Sequence, residues 1–147
     1  MMGRGWRLLS AGVLVIVLCA CGDGGGSAAE TTPASCTNAI PASEAWDHKV
    51  EEVTVRGMVI STLSRNNLYE GATLAVSEKA TACPSTYESC QSLTDLTVII
   101  PTEDLGKFPN GPDYYLGKTI CVAGLIGGYQ PTNMVVSSPE RIAIAPP

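Results

Sequence analysis

A long run of alternating side chains is the strongest fold signal in this sequence. Residues 50–63 read VEEVTVRGMVISTL, so that Val53, Val55 and Val59 fall on one side of an extended chain. A period of two is typical of a β-strand with one buried face. Gly57 lies in the middle of the run, and glycine inside a strand often marks a bend or a bulge. The run therefore predicts a β-rich fold that begins with one long, bent strand.

Four shorter segments predict the other strands. They are residues 72–77, 93–100, 119–126 and a fifth strand of residues 134–137 and 141–145 that Pro139 interrupts. Residues 101–116 are too polar and proline-rich for a long helix, although residues 103–107 favour a short helical turn. Ser43 is a candidate N-cap for a second short turn before the first strand. Five such strands indicate a small Greek-key barrel, and an open β-sandwich is the alternative architecture.

Three segments resemble the oligonucleotide/oligosaccharide-binding (OB) family. They are VTVRGMV in the first strand, YLGKTICVAGLIGGY around the fourth and MVVSSPERIAI in the fifth. The resemblance covers most of residues 50–145 and departs from the family at residues 83–90, which look like an insertion. It implies an all-β fold, a five-stranded OB-like Greek-key barrel over residues 41–147. It also implies a ligand face on the second and third strands, flanked by two loops.

Those two loops supply the candidate ligand-binding residues. Residues 64–69 join the first and second strands, and residues 127–133 join the fourth and fifth. The candidates are Arg65, Asn66, Tyr69, Tyr129 and Asn133. Amide and tyrosine side chains suit stacking on, and hydrogen bonding to, a sugar, a base or a peptide. The same residue types are also ordinary turn formers, so the loops alone do not identify a ligand.

The N-terminal segment is predicted to be a targeting signal rather than part of the folded domain. Arg4 and Arg7 precede an apolar run at residues 8–18, which is shorter than the about 20 residues of a membrane-spanning helix. A short basic start, a brief apolar run and a small-residue end predict a secretory signal. The segment then reads Leu18-Cys19-Ala20-Cys21, which resembles the lipobox of bacterial lipoproteins.

The lipobox resemblance implies cleavage after Ala20 and lipidation of Cys21, with palmitate-type chains as the membrane anchor. The alternative is an ordinary secretory signal with a chance cysteine. We expect residues 1–20 to be the signal peptide and residues 21–40 a flexible tether, because glycine and small polar residues bury too little surface to order themselves. Such a tether reaches about 20–25 Å from the membrane.

Charge and composition narrow the possible partners. The 147 residues carry a net charge of −5, and 45% of them are apolar, enough to form a core. Loss of Arg4 and Arg7 with the signal leaves seven basic against fourteen acidic residues, a net charge of −7. Binding to phosphates relies on basic side chains. The charge therefore disfavours nucleic acid and favours a protein, peptide or glycan of the cell envelope.

Four cysteines remain outside the signal: Cys36, Cys83, Cys90 and Cys121. In an exported chain an even count indicates disulfides, and four cysteines allow three pairings. Cys83 and Cys90 flank a six-residue loop rich in turn formers, which favours their pairing and leaves Cys36 for Cys121. A Cys₄ zinc site is the alternative, but no C-x₂-C pair is present to favour it.

Candidate catalytic groups are sparse. His48 is the only histidine, and Asp47 beside it would face the opposite side of a strand. The carboxylate pairs Glu51-Glu52 and Glu103-Asp104 are sequence neighbours, whereas acid–base catalysis needs carboxylates that converge across a cleft. We therefore expect a non-enzymatic protein with no catalytic residue, metal or cofactor.

The expected function is that of a lipid-anchored lipoprotein on the extracytoplasmic side of a bacterial membrane. Its OB-like domain would bind a protein, peptide or glycan of the envelope. An exported module for single-stranded nucleic acid is the alternative, and a weak hydrolase is a third hypothesis. Binding to an envelope glycan or protein would favour the first hypothesis, and salt-dependent retention of single-stranded DNA would favour the second. Turnover of a substrate would favour the third.

Overall fold

The computed structural model describes residues 33–66, 70–79, 83 and 90–147. These residues form seven strands: β1 (Ile40–Pro41), β2 (Glu52–Asn66), β3 (Gly71–Ser77), β4 (Leu96–Pro101), β5 (Thr119–Leu125), β6 (Asn133–Val135) and β7 (Ile142–Ile144). They also form five short 3₁₀ helices: η1 (Ala42–His48), η2 (Gln91–Leu93), η3 (Thr102–Lys107), η4 (Pro112–Tyr115) and η5 (Pro139–Arg141). The all-β prediction is confirmed.

Strand β2 organises the sheet because it is long enough to serve two antiparallel partners. Its first half, from Glu52 to Met58, pairs with β5, and its second half pairs with β3. The short strand β1 runs parallel to β2, opposite Val55 and Arg56. The register between β2 and β3 shifts between Val59 and Ser61 and again nearer the end of β2. These irregularities bend the strand, as a β-bulge does.

Gly57 has a different role from the predicted bulge. It pairs with Ile120 in an unbroken register, and the irregularities begin two residues later. A Cβ atom on Gly57 would lie 2.6 Å from Val76 Cγ1 and 3.0 Å from Ala42 Cβ. Glycine is therefore required because helix η1 and strand β3 approach the β2 backbone closely.

The strand ladders form an open path rather than a closed barrel. Their order is β6-β4-β3-β2-β5-β7, with β1 beside β2. Strand β6 is parallel to β4, and β7 is antiparallel to β5. A single bridge between Ile126 and Met134 joins the end of β5 to β6. The predicted fifth strand is divided into β6 and β7 by η5, which begins at Pro139.

Two local predictions differ from the structure. Strand β2 extends to Asn66, so residues 64–66 belong to the strand rather than to the first predicted loop. Ser43 does not cap η1, whose N-cap is Pro41 without a side-chain hydrogen bond. The Ser43 hydroxyl instead donates to the Glu78 carboxylate, which ties η1 to the residue after β3. The predicted turn at residues 103–107 is confirmed as η3.

The inward-facing side chains of the curved sheet form the hydrophobic core. Its largest fully buried side chains are Val55, Val59, Leu74, Val76, Leu96, Val98, Ile100, Ile120, Val122, Ile126, Met134 and Val136. Every residue of β3 is buried, and the hydroxyl of Thr73 has no hydrogen-bond partner among the described residues. Strand β3 is therefore covered on both of its faces.

Both predicted disulfides are confirmed. Cys36 pairs with Cys121 in β5, with their Cα atoms 5.3 Å apart, and Cys83 pairs with Cys90 at 5.8 Å. The N–H of Ala34 also donates to the carbonyl oxygen of Glu140, over 2.8 Å. The described end of the predicted tether is thus fastened to β5 and to the residues before β7. Within the described residues, no helix is long and apolar enough to cross a membrane.

Candidate functional site

A groove opens beside β5, between the part of this strand that pairs with β7 and the residue that bridges to β6. The ladder of β5 with β7 ends at the pair Val122–Ile142, and the bridge to β6 occurs only at Ile126. Residues 123–125 between them have no strand ladder on this side within the described part of the chain. The gap holds a groove of about 320 Å³. We call it the seam groove, and its lining residues are Glu52, Ala123, Gly124, Leu125, Val135, Ser137, Ser138 and Arg141.

Two of the residues that line the seam groove form an ion pair. Nη1 of Arg141 donates to Oε1 of Glu52 over 2.8 Å. The Arg141 side chain is only 19% exposed, whereas that of Glu52 is 63% exposed. A guanidinium has five N–H donors, and no other hydrogen bond to this one is found among the described residues. The ion pair with Glu52 therefore fixes the Arg141 side chain, and its remaining N–H groups can donate hydrogen bonds to a ligand.

Leu125 and Val135 add apolar side chains to the lining of the seam groove, and Leu125 lies directly opposite Glu52 in the pairing of β2 with β5. Leu125 ends β5 and Val135 ends β6, and the two residues are 57% and 56% exposed. Ser137 and Ser138 add hydroxyl groups to the wall, and the Ser138 hydroxyl donates to the Glu140 carboxylate. Apolar walls with a few oriented polar groups are typical of ligand sites, and the volume lies at the small end of their range.

The predicted loop at residues 127–133 leads out of the seam groove, since it connects β5 to β6. Tyr129 at its tip is 85% exposed. Asn133 shapes the loop: its Nδ2 donates to the Pro131 carbonyl oxygen over 3.0 Å, and its own carbonyl oxygen accepts from the Gly127 N–H over 2.7 Å. A direct contact of Asn133 with a ligand remains a prediction.

Val50 supports this loop in an unusual backbone conformation. Its φ angle is +65°, which a β-branched residue rarely adopts. Its N–H donates to the Ile126 carbonyl oxygen over 2.9 Å, and its side chain is 68% exposed. A Cβ atom on Gly128 would lie 3.5 Å from Val50 Cγ2. Val50 thus places an exposed apolar side chain beside Gly128, the residue before Tyr129.

The candidate ligand-binding residues of the first predicted loop are Arg65, Asn66 and Tyr69. Arg65 and Asn66 end strand β2, and their side chains lie outside the described part of the structure. Tyr69 lies outside the described residues, as does the predicted lipidation site Cys21. The second and third strands of the expected ligand face correspond to β3 and β4. Thr73 and Ile99 on that outer side are both buried.

No local sequence signal marks Arg141, Leu125 or Val135 as functional. Glu52 stands out in the sequence only as the neighbour of Glu51. Alternation in β2 does place Glu52 on the outer side, opposite the inward Val53 and Val55. Its meeting with Arg141, 89 residues later in the chain, depends on the registers of β2, β5 and β7. Only those registers could have revealed the ion pair.

His48 and Asp104, which were considered as candidate catalytic groups, each contact a side chain close to them in the sequence. His48 Nδ1 lies 2.8 Å from Glu51 Oε2, so its partner is Glu51 and not Asp47. Asp104 accepts from Lys107 Nζ over 2.6 Å. Hydrogen bonds from Lys107 and from the Ser137 side chain hold the pKa of Asp104 below its usual value, which keeps this carboxylate ionised. Among the described residues, no three His, Cys, Asp or Glu side chains are grouped to hold a metal.

Lys118 also has a structural partner. Its ammonium lies 3.2 Å from the ring centroid of Tyr114, a cation–π contact that draws the lysine onto η4. The next residue, Tyr115, packs into the core, and burial raises the pKa of its phenol. The Gly-Lys segment before β5 thus fastens η4 to the sheet rather than presenting a free cation.

The seam groove, with Tyr129 beyond it, is the solvent-facing site that combines these features best. Comparison with protein-family models, with curated proteins and with solved structures finds no match to the chain. What the site binds is therefore inferred from its own residues.

Proposed function

We propose that this protein is a bacterial cell-envelope lipoprotein, anchored through Cys21, whose β-rich domain binds a protein, peptide or glycan without catalysing a reaction. The seam groove carries the proposal. It places a half-buried arginine, two serine residues and two exposed aliphatic side chains around one opening. Such a mixture suits a ligand with both apolar and hydrogen-bonding groups, as a peptide or a glycan has.

We also propose that the domain is an OB-like barrel. The support is the order of pairing: β2 neighbours β3, β3 neighbours β4, β4 neighbours β6, and β5 returns to β2. The bridge between Ile126 and Met134 links the end of β5 to β6. If the pairing of β5 with β6 extended beyond that bridge, then β2, β3, β4, β6 and β5 would form a closed five-stranded barrel. The seam groove lies where this pairing is shortest.

Replacement of the predicted lipidated residue tests the anchor. Cys21→Ala is expected to move the protein from the membrane fraction to the soluble fraction, because two or three acyl chains hold far more strongly than any single chain. Cell fractionation with palmitate labelling measures the change. Cys19→Ala is the matched control and should stay labelled and membrane-bound. Tight membrane association of Cys21→Ala would contradict the anchor.

Site-specific crosslinking tests the groove. A photoreactive amino acid in place of Leu125, in the full-length protein in cells, is expected to capture an envelope component, and Arg141→Ala should reduce the yield of that adduct severalfold. The matched control carries the same probe at Leu116, which is 51% exposed and does not line the groove. Equal adducts from both positions, or none from Leu125, would count against the site.

A further inference from the structure

We propose a second binding site, separate from the seam groove, that takes a short peptide by its two charged ends. It is a groove of about 410 Å³ between the segment before η1 and the outer side of β2. We call it the arginine–glutamate groove, and its lining residues are Ala39, Pro41, Arg56, Gly57, Met58, Glu78 and Thr119. This proposal does not depend on the proposed function.

One wall of the groove is held in place before any ligand arrives. The wall is the segment that carries Ala39 and Pro41, and β1 attaches it to β2 at only two positions. The disulfide from Cys36 to Cys121 fixes the same segment, and Cys121 lies directly opposite Arg56 in the pairing of β2 with β5. A wall held by a covalent bond loses little freedom on binding, which favours affinity.

The groove carries one charge of each sign. The Arg56 side chain is exposed, and no ion pair or hydrogen bond to its guanidinium is found among the described residues. The Glu78 carboxylate is oriented by the hydroxyl of Ser43, and the Glu78 N–H donates to Asp95 Oδ2 over 2.9 Å. Arg56 and Glu78 line the same opening without pairing with each other. The opening therefore offers a cation and a fixed carboxylate on its walls.

The ligand that matches this arrangement is a zwitterion. An arginine fork binds a carboxylate through two parallel hydrogen bonds, and Glu78 accepts from an ammonium group. The volume of about 410 Å³ lies within the range of small-ligand sites. A peptide of two residues is the smallest peptide that carries both charged ends on a peptide backbone. Met58 adds a flexible apolar surface for its side chains.

Calorimetric titration of the full-length protein in detergent micelles tests the proposal with Ala-Ala as the probe. We expect saturable binding. Acetylating the amino end or amidating the carboxyl end should each weaken it about tenfold or more, because each removes one charged hydrogen-bonding partner. Absence of saturable binding at millimolar peptide, or equal binding of the blocked peptides, would overturn the proposal.

Two variants assign the ends of the peptide. Arg56→Gln should bind Ala-Ala and its amide equally, while Glu78→Gln should bind Ala-Ala and its acetylated form equally. Arg141→Gln, in the seam groove, is the matched control and should keep both preferences. If Arg141→Gln abolishes them, or Arg56→Gln retains them, the site is wrong. Crosslinking from Leu125 is independent of this titration, so the two proposals can fail separately.

Discussion

Loss of the Cys36–Cys121 disulfide is expected to lower the free energy of unfolding by about 4.6 kcal/mol. The bond joins residues 85 apart, and the entropy that a crosslink removes from the unfolded state grows with the length of the loop that it closes. A domain of this size is stable by only about 5–15 kcal/mol, and the variant should lie close to its unfolding threshold. Cys36→Ala combined with Cys121→Ala makes the change without leaving a lone thiol.

The second disulfide provides the matched control. Cys83 and Cys90 are only 7 residues apart, and the same loop-closure argument gives about 2.5 kcal/mol for Cys83→Ala with Cys90→Ala. Urea unfolding, followed by far-ultraviolet circular dichroism, measures both losses. A smaller loss for the Cys36–Cys121 pair than for the Cys83–Cys90 pair would contradict the explanation by loop closure.

Gly71→Ala is expected to cost about 2–3 kcal/mol, since it forces an atom into the space between two paired strands. A Cβ atom there would lie 2.2 Å from the Ile100 carbonyl oxygen and 3.1 Å from both the Ile100 carbonyl carbon and Pro101 Cα. All three are backbone atoms of β4, so no side-chain rotation can relieve the clash. Strands β3 and β4 must separate locally, at the point where their ladder begins.

Two other glycines calibrate the Gly71 result under the same denaturation assay. A Cβ atom on Gly106 meets nothing within 4 Å, so Gly106→Ala should be neutral or gain up to about 1 kcal/mol. A Cβ atom on Gly124 meets Cγ and Sδ of Met134 at 2.8 Å, and that flexible side chain can move, so about 1 kcal/mol is expected. Equal stability of Gly71→Ala and Gly106→Ala would disprove the steric argument.

The strands were predictable because each has a buried face that leaves a period of two in the sequence. Val53, Val55 and Val59 carried that signal for β2. Strand β1 was not predictable, since two residues are too few to show any period. The polar end of β2 at residues 64–66 has the composition of a loop. Its pairing with β3 there is a tertiary contact, which local propensity does not encode.

The site was only partly predictable, for a similar reason. Tyr129 was predicted from turn chemistry and is exposed in the loop beyond the seam groove. The sequence gives no sign that Arg141 and Glu52 form an ion pair, because their contact depends on how β2, β5 and β7 lie side by side. Gly57 was expected at a bulge. Its small size is needed instead because η1 and β3 lie against it, and neither contact shows in the neighbouring sequence.

The position of the long-range disulfide decides how the molecule would carry mechanical load. A pull on the N-terminal segment is transmitted along the chain to Cys36 and then through the sulfur atoms to Cys121. If the C-terminus is held, residues 37–120 lie in a covalent loop outside the line of force. Strands β1 to β4 are thereby shielded from tension, and stretching the oxidised chain would extend only the segments before Cys36 and after Cys121.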